Sequence, residues 1–395
     1  MSTWSKPDDI RNKLEYVWKK GDILRHCLLE DVLFPLKIKL DVPSPNELSL
    51  YFSDVIDWTR QLKQKEKSKV GFGYDLIEKE TNYRLIGKNS IPTDALIPSL
   101  EDALRLLRKQ KEVDLFLANS EKLLQRWQNL QQWILKYPFK LIKSIGSDCD
   151  RLIIVLEWFE KNPNHYLYIR QLDIPGVDTK FIENNKAIIG ELLDIVLPED
   201  QVDMTTKNFE ERFFLKKKPK MIRFRILDDN YTFHGLSDFT VPIDEFAQWK
   251  LDFKNIIFTE NEINFLSFPQ IKDSCVIFGK GYGVEIFKMA KWIGEKNVYY
   301  WGDIDTHGFN ILSIARGFLP NLKSFLMTEE VLLEHRELWV DELNQHLANI
   351  ERLTDEEYLL VCRLQNNYYK NNVRLEQERV AFSSVEKFVE DHLIL

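Results

Sequence analysis

The chain has 395 residues, 44% hydrophobic and 29% charged, a balance that excludes collagenous, low-complexity and wholly disordered classes and gives material for two or three domains of about 150 residues each. No run approaches the roughly 18 apolar residues of a membrane helix, and residues 1–9 lack the apolar core of a signal peptide, so the expectation is a soluble cytoplasmic protein with no membrane partner. The formal charge of −8 argues against a surface coated with phosphate-binding lysines. Its cysteines, Cys27, Cys149, Cys275 and Cys362, lie far apart with no CxxC pair, which suits a reducing compartment.

Residues 1–145 read as a mainly helical region. Apolar positions recur at helical spacing in 10–29, 48–62 and 100–117, with Pro35, Pro43 and Pro45 as breakers. Gly71 and Gly73 precede a short strand pair over 74–86, and 123–135 is a further helix whose Trp127 and Trp133 form a packing face. From 146 to 235 the order is a helix over 151–160, an extended segment over 166–172, a Pro175-Gly176 turn, and a helix over 179–197 behind the N-cap residue Asp178. A basic block follows: Arg212, Lys216, Lys217, Lys218, Lys220, Arg223 and Arg225, with no acid between them, ending in an alternating strand over 221–227. Helix, turn, helix and basic β element is the order of a winged helix, and equally that of other small α+β domains. The block itself fits either a solvated strand edge or a footprint for a polyanion.

From 236 to 395 the texture changes to α/β. Four short apolar strands, 255–259, 274–278, 298–301 and 322–327, each precede helical periodicity, which implies βαβ units around a buried parallel sheet. Ligands of such sheets gather outside the carboxyl ends of the strands. Three of those ends carry notable residues: Glu260, the loop Gly279-Lys280-Gly281-Tyr282-Gly283, and Gly302-Asp303-Ile304-Asp305. On an extended chain Asp303 and Asp305 project to one side, where they can share a hard cation or simply cap the turn into the helix expected over 309–317. Glu260 would bring a third carboxylate beside them, with Glu262 the near alternative; its other reading is an acid at a helix N-terminus. The glycine loop, with Lys280, is no P-loop, and serves either a phosphate or an ordinary turn. His307 would touch a phosphate or cap the turn. There is no HExxH and no GxSxG.

A glutamate after one strand and a DxD after a later one look like the Toprim fold. Longer strings extend the likeness: Phe258-Thr259-Glu260-Asn261-Glu262-Ile263-Asn264-Phe265-Leu266, Tyr300-Trp301-Gly302-Asp303-Ile304-Asp305-Thr306-His307-Gly308-Phe309, Arg374-Leu375-Glu376-Gln377-Glu378-Arg379, Tyr168-Ile169-Arg170-Gln171-Leu172, and the run from Gly176 to Glu183. Together they resemble the JetD family, nuclease subunits of Wadjet plasmid-defence systems and relatives of the DNA-cleaving subunit of type IIB topoisomerases. The resemblance implies a multidomain chain in three parts: the helical region 1–145 for partner docking or DNA clamping, a winged-helix CAP-like domain over 146–235, and a Toprim domain over 236–395.

It also implies a homodimer that hydrolyses double-stranded plasmid DNA without sequence specificity, using Mg²⁺ or Mn²⁺ held by Glu260, Asp303 and Asp305. The partners implied are an SMC ATPase, a kleisin and a KITE subunit. Lys216, Lys217, Lys218, Lys220, Arg223 and Arg225 would track backbone phosphates. Glu376 and Glu378 recur in the family's string without an evident role. Two rival readings are topoisomerase-like cleavage through Tyr166 or Tyr168, and a non-catalytic DNA-bridging subunit.

Overall fold

The computed structural model describes residues 4–29, 31–83, 87–249, 252–279, 286 and 288–393. It is a mixed α+β protein of two compact units, Met1–Lys217 and Lys218–Leu395. Among the described residues no helix is long and apolar enough to cross a membrane.

In the first unit, several expected helices are split where the backbone leaves the helical region. Helix Pro7–Lys20 ends at Gly21 with φ 82° and Asp22–Leu29 follows, while Arg108 at φ 60° separates Leu100–Leu107 from Gln110–Leu124. The expected strand pair is longer than its sequence signal: β2 (Asp75–Tyr83) and β3 (Gly87–Ile97) form an antiparallel hairpin. An unforeseen strand, β1 (Leu36–Lys39), pairs with β3 on its other side. The segment over 166–172, read as extended, contains instead a 3₁₀ turn, Ile169–Gln171.

Helices Cys149–Lys161 and Thr179–Val196 form as expected, the second capped by Asp178, whose carboxylate accepts from Phe181 N at 3.0 Å. They do not stand apart from the N-terminal helices. Phe116, Leu123, Leu156, Ile189 and Phe213 belong to one buried core, Trp127 Nε1 donates to Glu160 at 2.9 Å, and Trp133 Nε1 donates to Glu191 at 3.0 Å. The first compact unit therefore runs on through these helices to Lys217.

The second unit is built on a six-stranded sheet of β4 (Met221–Ile226), β5 (Asp238–Pro242), β6 (Asn255–Thr259), β7 (Ser274–Phe278), β8 (Asn297–Trp301) and β9 (Lys323–Ser324). Their order is β5-β4-β7-β6-β8-β9. The run β7-β6-β8-β9 is parallel, as the sequence predicts, and its central strand β6 is buried along its whole length. The basic-block strand β4 is part of this sheet. β4 pairs antiparallel with both β5 and β7, because its alternate residues Ile222, Phe224 and Ile226 need an apolar surface and find it in this unit's core. The strand expected over 322–327 is reduced to two residues at the sheet edge.

Candidate functional site at the carboxyl edge of the sheet

The parallel strands release the chain side by side. Thr259 on β6 is level with Phe278 on β7 and Trp301 on β8, so Glu260, Gly279 and Gly302 leave the sheet at one edge. This is the edge at which the sequence expects ligands. Lys280 and the rest of the glycine loop lie outside the described residues.

Asp303 and Asp305 follow β8, with Asp305 in extended conformation as the N-cap of helix Thr306–Arg316. Its carboxylate accepts from Gly308 N at 2.7 Å. The turn is tight enough to demand glycine at 308: a Cβ there would stand 2.2 Å from the Asp303 carbonyl oxygen. Gly302 is constrained similarly, since a Cβ would meet the Tyr300 hydroxyl at 2.5 Å. That hydroxyl is needed elsewhere, because it donates to Glu260 Oε1 at 2.6 Å.

A segment far along the chain closes over the two aspartates. Ile304 and Leu375 exchange backbone hydrogen bonds at 2.9 and 3.1 Å, which lays Arg374-Leu375-Glu376 antiparallel to Asp303-Ile304-Asp305. Arg374 Nη2 donates to Asp303 Oδ2 at 2.5 Å, and its Nε lies 3.2 Å from Asp305 Oδ2. Gln377 N donates to the other Asp303 oxygen at 2.9 Å. The Gln377 side chain, buried, accepts from Thr259 Oγ1 at 2.7 Å while its Nε2 is buried without a partner. On the other side of Asp305, the buried Glu342 accepts from the Thr306 hydroxyl at 2.5 Å.

These surroundings set the electrostatics. Burial pushes Asp305 up to about 6; the Gly308 amide works against this, and the charges of Glu342 and Asp303 add to it. Burial also raises Glu260 above the usual carboxylate range; the Tyr300 hydroxyl pulls it down, while Asp303 and Asp305 push it further up. Burial opposes the charge on Arg374, yet Asp303, Asp305 and Glu376 together hold its pKa above the ordinary arginine value. Among the described residues, the site is a set of largely buried carboxylates in which Arg374 is the cation that lies against Asp303 and Asp305.

The structure thus brings Asp303 and Asp305 together under Arg374, with Glu260 within electrostatic reach but turned onto Tyr300. Among the described residues, no three His, Cys, Asp or Glu side chains stand close enough to hold one ion, so the expected three-carboxylate cage is not assembled as such. An all-oxygen set with two adjacent carboxylates still suits Mg²⁺ or Mn²⁺, which commonly takes one or two protein carboxylates and completes its shell with water and phosphate.

Of the second-rank residues that the structure describes, Glu262, His307 and Glu378 are engaged elsewhere, and Glu376 lies between Arg374 and Arg379. Glu262 takes Arg223 at 2.6 Å, His307 Nε2 bonds the Asn344 carbonyl at 2.6 Å, Glu376 pairs with Arg379 at 2.9 Å, and Glu378 accepts from Asn261 at 2.8 Å. Arg223 also grips Asp238 at 3.0 and 2.7 Å, while Arg225 is held by the carbonyls of Phe265 and Phe268 at 3.3 and 2.5 Å. Both arginines are therefore structural clamps. Lys216 lies over the exposed rings of Tyr166 and Tyr168, 5.2 and 5.7 Å from their centroids, and Lys217 pairs with Glu211 at 2.8 Å. Sequence reasoning missed Tyr300, Arg374, Gln377 and Glu342. Only the charged–apolar–charged alternation of Arg374-Leu375-Glu376 hinted at a strand across the site.

Two family models match this chain. One, described as the C-terminal part of Wadjet protein JetD, covers residues 214–389, the unit that holds the site. The chain belongs to the JetD-type Wadjet proteins. The other, an uncharacterised N-terminal family conserved in bacteria, covers residues 7–194, so the two matches follow the division of the fold. No curated relative matches the chain. Membership makes the protein a subunit of a Wadjet defence system, and hence of a multi-subunit complex.

Proposed function

We propose that the protein is the DNA-cleaving subunit of its Wadjet complex, a divalent-metal-dependent endonuclease that hydrolyses plasmid DNA without reading its sequence. The observation that carries this reading is the pair Asp303 and Asp305 at the carboxyl end of β8, beside Glu260 at the end of the neighbouring β6, in a JetD-type chain. The same arrangement supports a Toprim assignment for the second unit, and helices Cys149–Lys161 and Thr179–Val196 support a CAP-like helical pair in the first. The partners in this reading are an SMC ATPase, a kleisin, a KITE subunit and a second copy of the chain.

Asp303 and Asp305 would hold Mg²⁺ or Mn²⁺. The chemistry such an ion would supply is neutralisation of the scissile phosphate and a lowered pKa for an attacking water. Glu260, kept above the usual carboxylate range by burial, is suited to accept that water's proton near neutral pH. Asp305 orients the turn through Gly308, and Tyr300 fixes the rotamer of Glu260. Lys216, Lys218 and Lys220 are suited to hold backbone phosphates, a contact that positions DNA without specifying sequence.

The test incubates purified protein with circular DNA in Mn²⁺ or Mg²⁺ and in chelator, beside Asp303→Ala. Metal-dependent linear product lost in the variant is expected. A plasmid-restriction assay with the whole complex supplies the second arm: full protection by both Asp303→Ala and Glu260→Ala would refute the nuclease reading and leave a bridging subunit.

A further inference from the structure

Arg374 occupies the space between the two aspartates that a shared cation would need. The antiparallel pairing of Ile304 with Leu375 sets it opposite Asp305, and its guanidinium reaches Asp303 Oδ2 at 2.5 Å. Glu376 lies 3.8 Å from it and is itself tied to Arg379. The accommodation is incomplete. Arg374 Nε is buried, stands 3.2 Å from Asp305 Oδ2, and has no aligned acceptor. A buried donor left unpaired is a cost that a better partner would relieve. Such a partner would be an anion that presents two accepting oxygens to the fork, and a phosphodiester, whose single charge is shared by its two non-bridging oxygens, matches the guanidinium as well as a carboxylate does. The side chain is still about a third exposed, at 35%, so it has a way out towards solvent.

We propose that Arg374 is an exchangeable counter-ion: it keeps Asp303 and Asp305 neutralised and closed to a divalent cation until a DNA phosphate draws its guanidinium away, which couples metal loading to DNA binding. The inference rests on the nuclease reading above. A monovalent guanidinium and a divalent ion cannot share the same two carboxylates without mutual repulsion, so the carboxylates take one or the other. An enzyme built this way does not carry a loaded metal while its complex is idle.

The test counts Mn²⁺ bound to the full chain without DNA, by the loss of the free-ion electron paramagnetic resonance signal, for the wild type, Arg374→Gln, Arg374→Lys, Asp303→Ala and the double variant Asp303→Ala/Arg374→Gln. Arg374→Gln is expected to bind one Mn²⁺ about tenfold more tightly than wild type, the factor set by freeing the aspartates from a charge-assisted hydrogen bond. The double variant should lose that ion. Arg374→Lys, which keeps the charge but not the fork, should fall between wild type and Arg374→Gln, and it serves as the probe should the glutamine variant fail to fold by circular dichroism. At saturating Mn²⁺, Arg374→Gln should cut DNA more slowly than wild type despite its tighter metal binding. Equal Mn²⁺ affinity in wild type and the Arg374 variants, at a site that Asp303→Ala removes, would overturn the counter-ion role and leave the nuclease reading intact. No Asp303-dependent ion in any variant would overturn both, and unchanged cutting by Arg374→Gln would overturn the hand-over to phosphate.

Discussion

Asp305 is held at a cost to the fold, and replacing it with asparagine should make the protein more stable. An aspartate in an unfolded chain titrates at about 3.9, whereas burial holds Asp305 at about 6. As pH rises from 4 to 6 the unfolded state gives up its proton before the folded state does, so stability is lost across that window and stays low above it. The two values put the cost at neutral pH at about 3 kcal/mol. Asp305→Asn removes the charge and keeps an oxygen that can accept from Gly308 N, and Arg374 retains Asp303 as its aligned partner. In chelator at pH 7.5 the variant should therefore melt higher, by about 6–12 °C for a unit of this size. At pH 4 the two proteins should converge. Calorimetry of the full chain at both pH values, with EDTA throughout, reads the difference, and DNA cleavage by the same variant should be lost. An Asp305→Asn protein no more stable than wild type at pH 7.5 would refute the reasoning, because the carboxylate would then be well solvated or fully compensated.

Three further substitutions probe the same unit. Gly308→Ala drives a methyl group against the Asp303 carbonyl and should cost about 1–3 kcal/mol in urea unfolding while abolishing cleavage, as the DxD turn must open to admit it. Tyr300→Phe leaves Glu260 without its donor; because that donor lowers the Glu260 pKa, the acid limb of the pH–rate profile should move to higher pH, and an unmoved limb would exclude Glu260 as the group that must ionise. Glu357→Ala strands Arg316, whose side chain is 10% exposed beside a glutamate 8% exposed, and should cost about 3–5 kcal/mol in chemical denaturation. Arg316, with Ser324 and Thr354, overcomes burial to hold the Glu357 pKa below the ordinary range, so its contribution is present at neutral pH and lost as pH falls through the acid range.

The amino-acid sequence by itself determined the α/β texture of the second unit, because β6, β7 and β8 are short apolar runs that only a buried parallel sheet can satisfy. It also determined which carboxylates leave the sheet at its carboxyl edge, since Glu260, Asp303 and Asp305 sit within a few residues of those strand ends. It did not determine where β4 belongs. A basic alternating strand reads the same on a wing as on a mixed sheet, and the choice falls to whichever unit offers the apolar face that Ile222, Phe224 and Ile226 require. Nor could local pattern reveal that Arg374, 71 positions from Asp303, would become its counter-ion. Spacing along the chain predicts which side chains share a face of one element. Which distant charge meets a buried carboxylate is decided only when the chain closes and the desolvated charge requires a partner.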